Sequence, residues 1–141
     1  EDLREIALSD IAKDCPEGDK VKLYVPCPTN FMIMKLYAFK DRIEGSRQNL
    51  DRAIAHAFDV YIIIMLTDIN DFKEGQKFVS RHKQSDILHK TKHIVEHYFS
   101  KYTDLGWQTV LGSSIFYPSQ SIAERNDKLQ QASARLLRWF S

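Results

Sequence analysis

The sequence predicts a mainly α-helical protein, a bundle of about four to five helices with a small β element near its N-terminal end. Several long segments repeat apolar residues every three to four positions, as amphipathic helices do. Only residues 20–26 alternate apolar and polar residues as a strand does. Of the 141 residues, 43% are hydrophobic and 28% charged, which is typical of a folded chain. We therefore expect residues 1–141 to form a single domain.

Net charge and cysteine content narrow the classes of function. The formal net charge of +1 gives no overall attraction to nucleic acid or to an anionic membrane. The longest strongly apolar run, residues 60–66, is far too short to span a membrane. Cys15 and Cys27 are the only cysteines, and one candidate disulfide in a chain of this size fits a reducing compartment better. We expect a cytoplasmic protein with no membrane contact and no strong nucleic-acid signal.

Prolines and capping residues set the predicted ends of the first strand and the first helix. Pro26 and Pro28 end the predicted strand, and Thr29 or Asn30 can then cap a helix that runs to about Glu44. After a polar loop, a second helix runs from about residue 50 to residue 67. This helix is apolar almost all round, so we expect it to be the central, buried one.

The second half of the chain continues the helical pattern. Residues 70–83 form a weaker helix because Gly75 interrupts it, and residues 85–102 are strongly amphipathic. Residues 104–120 are expected to be a loop with at most a short extended piece. Ser121 and Glu124 have the spacing of a capping box and open the last helix. The end of that helix is apolar enough to dock on the body of the protein or on a partner.

Two cations lie within the apolar face of the first helix. At about 100° per residue, Lys35 and Arg42 fall inside the apolar arc and project along nearly one line. The arc consists of Phe31, Met32, Leu36, Ala38, Phe39 and Ile43. Burying an unpaired cation costs several kcal/mol or more, so an anion should meet this pair. That anion is either a carboxylate of the protein or a phosphate of a ligand.

The second helix offers the carboxylate. Arg52, His56 and Asp59 form its one polar row, and Asp59 is the only acidic residue in its centre. One interpretation is a structural salt bridge between Asp59 and Arg42 that locks two antiparallel helices. The other is a partly open cleft in which Lys35 and Arg42 receive phosphate while Asp59 orients them. The spacing of the residues does not choose between these interpretations.

The same residues carry a resemblance to a known family. The stretch VPCPTNFMIMKLYAFKDR, followed by AFDVY, resembles the latter half of the AbiEii/AbiGii-type nucleotidyltransferases of abortive-infection and toxin–antitoxin loci. That family has a strand, a Pro-containing turn, a helix of the form K-L-x-A-x-x-x-R and a helix with a D-x-x-D-like element. Lys35, Leu36, Ala38 and Arg42 match the first helix, and Asp59 matches the second aspartate. His56 stands in place of the first aspartate and Ala55 in place of the preceding basic residue, and the resemblance covers roughly residues 20–66.

The resemblance implies a nucleotide-binding set of Lys35, Arg42, His56 and Asp59, in which the lysine touches phosphates and Asp59 supports it. The complete protein would use Mg²⁺ and an NTP and transfer a nucleotide to a protein or RNA hydroxyl. It would have an α+β fold, and its partners would be an N-terminal catalytic region and a cognate antitoxin. The alternative is a non-catalytic helical interaction or regulatory module in which the Lys35–Arg42–Asp59 cluster is structural.

The catalytic elements of that superfamily are a Gly-Ser turn and a D-x-D pair that holds Mg²⁺. The chain has a GSS sequence at residues 112–114, but only Asp127 follows it, and it lies downstream of the matching helices. We interpret it as a turn. Because the sequence begins with Glu1 and not with methionine, we expect a fragment that lacks the catalytic half. This chain alone is then expected to be inactive, with no catalytic residue and no metal ligand of its own.

Two further groups of residues have simpler explanations. His89, His93 and His97 lie at i, i+4 and i+8, a spacing at which pairs of imidazoles can chelate zinc or nickel. They lie opposite the apolar face of their helix, so we expect a solvated surface, with adventitious metal binding as the alternative. Three aromatic residues could stack on bases, but no basic run accompanies them and packing is the expected role. These residues are Trp107, Phe116 and Tyr117.

Overall fold

The computed structural model describes residues 3–7, 14, 20–46 and 48–141. Within these ranges the chain forms two strands and six helices, which confirms the predicted mainly helical class with a small N-terminal sheet. In chain order they are β1 (Leu3–Ala7), β2 (Lys22–Pro26), α1 (Pro28–Glu44), α2 (Leu50–Leu66), α3 (Ile69–Arg81), α4 (Asp86–Tyr98), α5 (Leu105–Leu111) and α6 (Ile122–Trp139).

The β element is an antiparallel pair. Strand β1 pairs with β2 in a register that places Leu3 opposite Pro26 and Ala7 opposite Lys22. The sequence predicted only the second of these strands. The guanidinium of Arg4 donates two hydrogen bonds to the carboxylate of Asp71, so the sheet is fastened to the start of α3.

Helix α1 starts earlier than the sequence predicted. Pro28 occupies its first turn and Cys27 is the N-cap residue, so neither Thr29 nor Asn30 caps it. Proline suits this position because its φ is preset and the helix needs no N–H donor there. Cys27 carries a free, half-buried thiol, whereas Cys15 lies outside the described residues.

Helix α2 lies at the centre of the bundle, as predicted. It packs against α1 on one side and against α5 and α6 on others. Its inward residues are Ala53, Ala57, Val60, Tyr61 and Ile64. The two small alanines let neighbouring helices approach closely, and the aliphatic residues beyond them fill the core.

The predicted loop at residues 104–120 contains a helix, and that prediction was wrong. Trp107 of α5 is fully buried, and its indole N–H donates to the carbonyl of Phe99 at 2.8 Å. Gly106 permits this placement because a Cβ there would lie 2.6 Å from a carbon of the Phe99 ring. The preceding helix α4 ends at Tyr98 and not at residue 102, since the chain must turn to bring α5 inward.

The last helix docks on the body of the protein. Its apolar end buries Leu136, Trp139 and Phe140. The Trp139 indole lies against Gly75, where α3 continues without a break, and donates to the Thr29 hydroxyl at 3.3 Å. The capping box that was predicted at the start of α6 is present.

No single helix in the described ranges is long and apolar enough to cross a membrane. Helices α2 and α3 reach the required length and composition only when taken together, and they are bent by 113° with respect to each other.

Candidate functional site

The cation–carboxylate cluster predicted from the sequence is centred on a contact between α1 and α2. The ammonium of Lys35 lies 2.7 Å from a carboxylate oxygen of Asp59. The sequence had named Arg42 as the protein partner of Asp59, whereas in the structure Asp59 pairs with Lys35. The two side chains are 22% and 40% exposed, so the pair lies at a half-open edge and not in the core. Lys35 also lies 4.9 Å from the ring centre of Phe31.

Arg42 lies two turns further along the same face of α1. Its side chain is 21% exposed, and its guanidinium is 3.9 Å from the carboxylate of Asp41. As expected, both cations of α1 are largely covered, but neither is fully withdrawn from water. Partial cover of this kind is typical of long basic side chains, which place their aliphatic stems along apolar surface and keep the charged end in water.

His56, the fourth residue of the predicted set, also lies in the cluster. Burial lowers the pKa of its imidazole below the ordinary value, and the nearby charge of Lys35 lowers it further. Arg42 and Arg52 act in the same direction, while Asp59 opposes them. Among the residues that the structure describes, none forms a hydrogen bond to the buried Nδ1 atom of His56. The structure therefore gathers Lys35, Arg42, His56 and Asp59 at one place, with a neutral imidazole among the charges at pH 7.

This arrangement has the chemistry of a phosphate-binding edge. Two cations with partial access to water can attract an anion, and a carboxylate fixes the direction of one of them. Exposed apolar side chains share the helix faces of this pair. They are Phe31, four residues before Lys35, and Ile62 and Leu66, three and seven residues after Asp59. Phe31, Ile62 and Leu66 also line a shallow groove of about 310 Å³ beside the start of α1.

A larger groove lies elsewhere, between α1 and α4, with a volume of about 800 Å³. Its α1 side includes Lys40, Asp41 and Glu44, which point away from Lys35 on the helical wheel. The groove and Lys35 thus lie on different faces of α1, and the Asp41 carboxylate at the groove's edge is the one near Arg42. We take the cluster as the functional candidate because its residues are the ones that resemble the nucleotidyltransferase helices and because several charged side chains lie together there. Only its size favours the groove.

The structure also places the other residues that the sequence singled out. His89, His93 and His97 are exposed, as predicted, but they line the large groove, which the sequence did not indicate. A helical wheel shows one face of α4 but cannot show that α1 stands beside it. The remaining predictions concerned the aromatic residues and the GSS sequence. Trp107 and Phe116 are buried, whereas Tyr117 is exposed and packs edge-on against Phe116. Residues 112–114 lie in the turn that follows α5.

Comparison with protein-family models, with curated proteins and with solved structures finds no match for this chain.

Proposed function

We propose that this chain is the C-terminal helical part of a nucleotidyltransferase of the AbiEii/AbiGii type. Whole, such an enzyme transfers a nucleotide from an NTP, with Mg²⁺, to a hydroxyl group of a protein or an RNA in the cytoplasm. The chain itself contributes phosphate contacts, and the upstream half contributes the metal-binding carboxylates. On its own the chain is inactive.

The observation that carries this proposal is the contact between Lys35 and Asp59. These are the residues that the resemblance assigns to phosphate contact and to support of the lysine. Their 2.7 Å separation holds the ammonium in one direction, and partial exposure leaves it within reach of a ligand. A lysine that is oriented in advance loses less conformational freedom when it binds a phosphate.

His56 has a consistent role in this proposal. An aspartate at this position would add a negative charge beside the two cations. A largely neutral imidazole adds none, because burial and the neighbouring cations lower its pKa. The cluster then has the Asp59 carboxylate beside Lys35 and no second carboxylate at position 56, so it keeps more attraction for a phosphate.

The apolar surroundings of the cluster fit an upstream half. Three exposed apolar side chains, Phe31, Ile62 and Leu66, fall on the same helix faces as Lys35 and Asp59 and line one shallow groove. Exposed apolar side chains grouped beside a charged site are typical of an interface. In the complete enzyme they would pack against the catalytic region that carries the Gly-Ser turn and the D-x-D pair. A cognate antitoxin is the further partner that loci of this kind imply.

Calorimetric titration of the intact gene product with Mg²⁺ and each NTP tests the proposal. We expect Lys35→Ala to weaken binding by at least about tenfold, since it removes a charge-assisted contact to phosphate. Lys40→Ala is the matched control, because Lys40 lies on the other side of α1 and pairs with Glu44 at 2.8 Å. Failure of a folded intact product to bind any NTP, or equal losses in the two variants, would contradict the proposal.

A second candidate is a non-catalytic helical module in which the cluster is a clamp. The observation in its favour is that the Lys35–Asp59 pair bridges α1 and α2, the most extensive helix–helix contact of the described chain. Under this candidate the pair stabilises the fold and has no effect on nucleotide binding. The stability of variants at both positions therefore separates the two candidates.

A further inference from the structure

The exposed histidines of α4 form a regular row that the cluster at Lys35 does not use. His89, His93 and His97 are exposed and line the α1–α4 groove. Four of the five histidines of the chain lie between residues 82 and 97, and these three share one helix at intervals of four. The fourth, His82, caps the end of α3. The row is therefore a concentration of one ligand type along one line.

The spacing suits chelation. Residues four apart in an α-helix are separated by about 6 Å along the axis and project from nearly the same side. Two imidazoles at this spacing can hold one metal ion, as the first and last residues of an H-x-x-x-H helix do. Imidazole nitrogen suits zinc, nickel and copper and not magnesium or calcium. Because the three side chains are exposed, each can turn towards a shared ion without disturbing the core.

The groove does not repel a cation. Across from the row stand Asp41 and Glu44 of α1, together with Lys40, and Lys90 stands on α4 itself. The Glu44 carboxylate pairs with Lys40 and accepts a hydrogen bond from the Tyr98 hydroxyl. These two acids and two lysines balance each other. The local field is then close to neutral when the imidazoles are uncharged.

We propose that His89, His93 and His97 bind a divalent transition-metal ion of the zinc or nickel class. Either of two overlapping pairs, 89 with 93 or 93 with 97, supplies two imidazole ligands, and water completes the coordination. In the described part of the chain no three His, Cys, Asp or Glu side chains are arranged around one point. Because only two protein ligands would hold the ion, the proposed site is open and exchangeable. It lies on the opposite side of α1 from Lys35 and does not depend on the proposed nucleotide function.

The test uses the role of His93, which belongs to both pairs. Tag-free protein is titrated calorimetrically at pH 7.5 with ZnCl₂ and with NiCl₂. We expect His93→Ala to weaken binding at least about tenfold, because the two remaining imidazoles are eight residues apart and cannot share one ion. Loss of even an outer-shell partner of a metal ligand costs about 10–100-fold. His89→Ala and His97→Ala should each cost less than about threefold, since one pair remains. The double variant His89→Ala/His97→Ala should match His93→Ala.

Two controls keep the proposal falsifiable. His82→Ala removes an exposed histidine outside the row and should leave affinity unchanged. Far-UV circular dichroism checks that α4 is intact, and alanine favours the helix at each substituted position. Absence of zinc and nickel binding by the native chain would overturn the proposal. So would an unchanged affinity in His93→Ala, or a loss in His82→Ala equal to that in His93→Ala.

Discussion

The ammonium of Lys35 lies 2.7 Å from the carboxylate of Asp59 across the interface of the first two helices. Because both side chains are partly exposed, water screens their attraction, and pairs of this kind contribute at most about 1 kcal/mol to stability. A fully buried pair broken on one side would cost about 3–5 kcal/mol. The degree of exposure thus argues for a positioned charge more than for a clamp.

The first prediction follows from that exposure. Lys35→Met keeps the aliphatic stem of the side chain and removes its charge, and we expect it to lower the free energy of unfolding by no more than about 1 kcal/mol. Urea denaturation of the native chain, Lys35→Met, Asp59→Asn and the double variant should give a coupling energy of about 0.5–1 kcal/mol. A coupling above about 2 kcal/mol would favour the structural candidate over nucleotide binding.

The second prediction concerns pH and His56. Burial, and then the charge of Lys35, lower the pKa of the folded-state imidazole below 6.5, so the unfolded chain takes up the proton more readily. The contribution of His56 to stability is therefore complete above about pH 6.5 and is lost as the pH falls through the lowered pKa. His56→Gln should make the free energy of unfolding less dependent on pH between about pH 7 and pH 5. Denaturation at a series of pH values measures this, and an unchanged dependence would contradict it.

The third prediction concerns the opposite effects of Asp59 and Lys35 on the pKa of His56. Asp59 is the nearby charge that raises the pKa of His56, against the effect of burial and the cations. Asp59→Asn should therefore lower that pKa further, whereas Lys35→Met should raise it. Titration of the His56 ring signals by NMR follows both changes directly. Shifts in the same direction in the two variants would show that the four side chains are not electrostatically coupled as the structure indicates.

The fourth prediction concerns Gly75. A Cβ at this position would lie 2.5 Å from a carbon of the Trp139 indole and 2.7 Å from the Thr29 hydroxyl oxygen. Gly75→Ala should destabilise the protein by about 1–3 kcal/mol through overpacking, even though alanine favours the helix by about 1 kcal/mol. Gly112→Ala is the matched control, because its Cβ would be 3.6 Å from the nearest atoms and its backbone is helical. Thermal denaturation compares them, and equal midpoints would contradict the prediction.

The fifth prediction compares two serines at helix starts. The Ser121 hydroxyl accepts from the N–H of Glu124 at 3.2 Å, whereas Ser85 at the start of α4 makes no such bond. Ser121→Ala should therefore cost about 1 kcal/mol of unfolding free energy. Ser85→Ala should cost much less, because it removes no bond to the helix backbone. Urea denaturation of both variants tests the difference, and a larger loss for Ser85→Ala would refute the role of the capping box.

Much of the fold was predictable because its long helices carry clear periodicity and end signals. The capping box at Ser121 and the apolar α2 are examples. Helix α5 was missed because its seven residues make only about two helical turns, too few to show a clear apolar repeat. Gly106 and Gly112 also made the segment look like a loop, since glycine is common in loops. Its helical state depends on tertiary contact, since Trp107 finds a place against Phe99 that no local pattern reveals.

The candidate site was only partly predictable for a different reason. Lys35 and Arg42 lie seven residues apart on one face of α1, so the sequence could show that one of them meets Asp59 but not which one. Which of the two cations meets Asp59 depends on the position of α1 along the axis of α2, and this register is fixed by the packing of the two helices. The placement of His56 among the cations follows from the same register.

The hydrogen bond between Trp139 and Thr29 joins residues that are 110 positions apart in the chain. During synthesis at about 5–20 residues per second, α1 leaves the ribosome roughly ten seconds before the indole that completes its packing. Until then, the surface around Gly75 and Phe72 that receives Trp139 is open to solvent. A nascent chain halted before α6 would carry this apolar surface uncovered, so chaperone binding to such arrested chains should end when α6 is released.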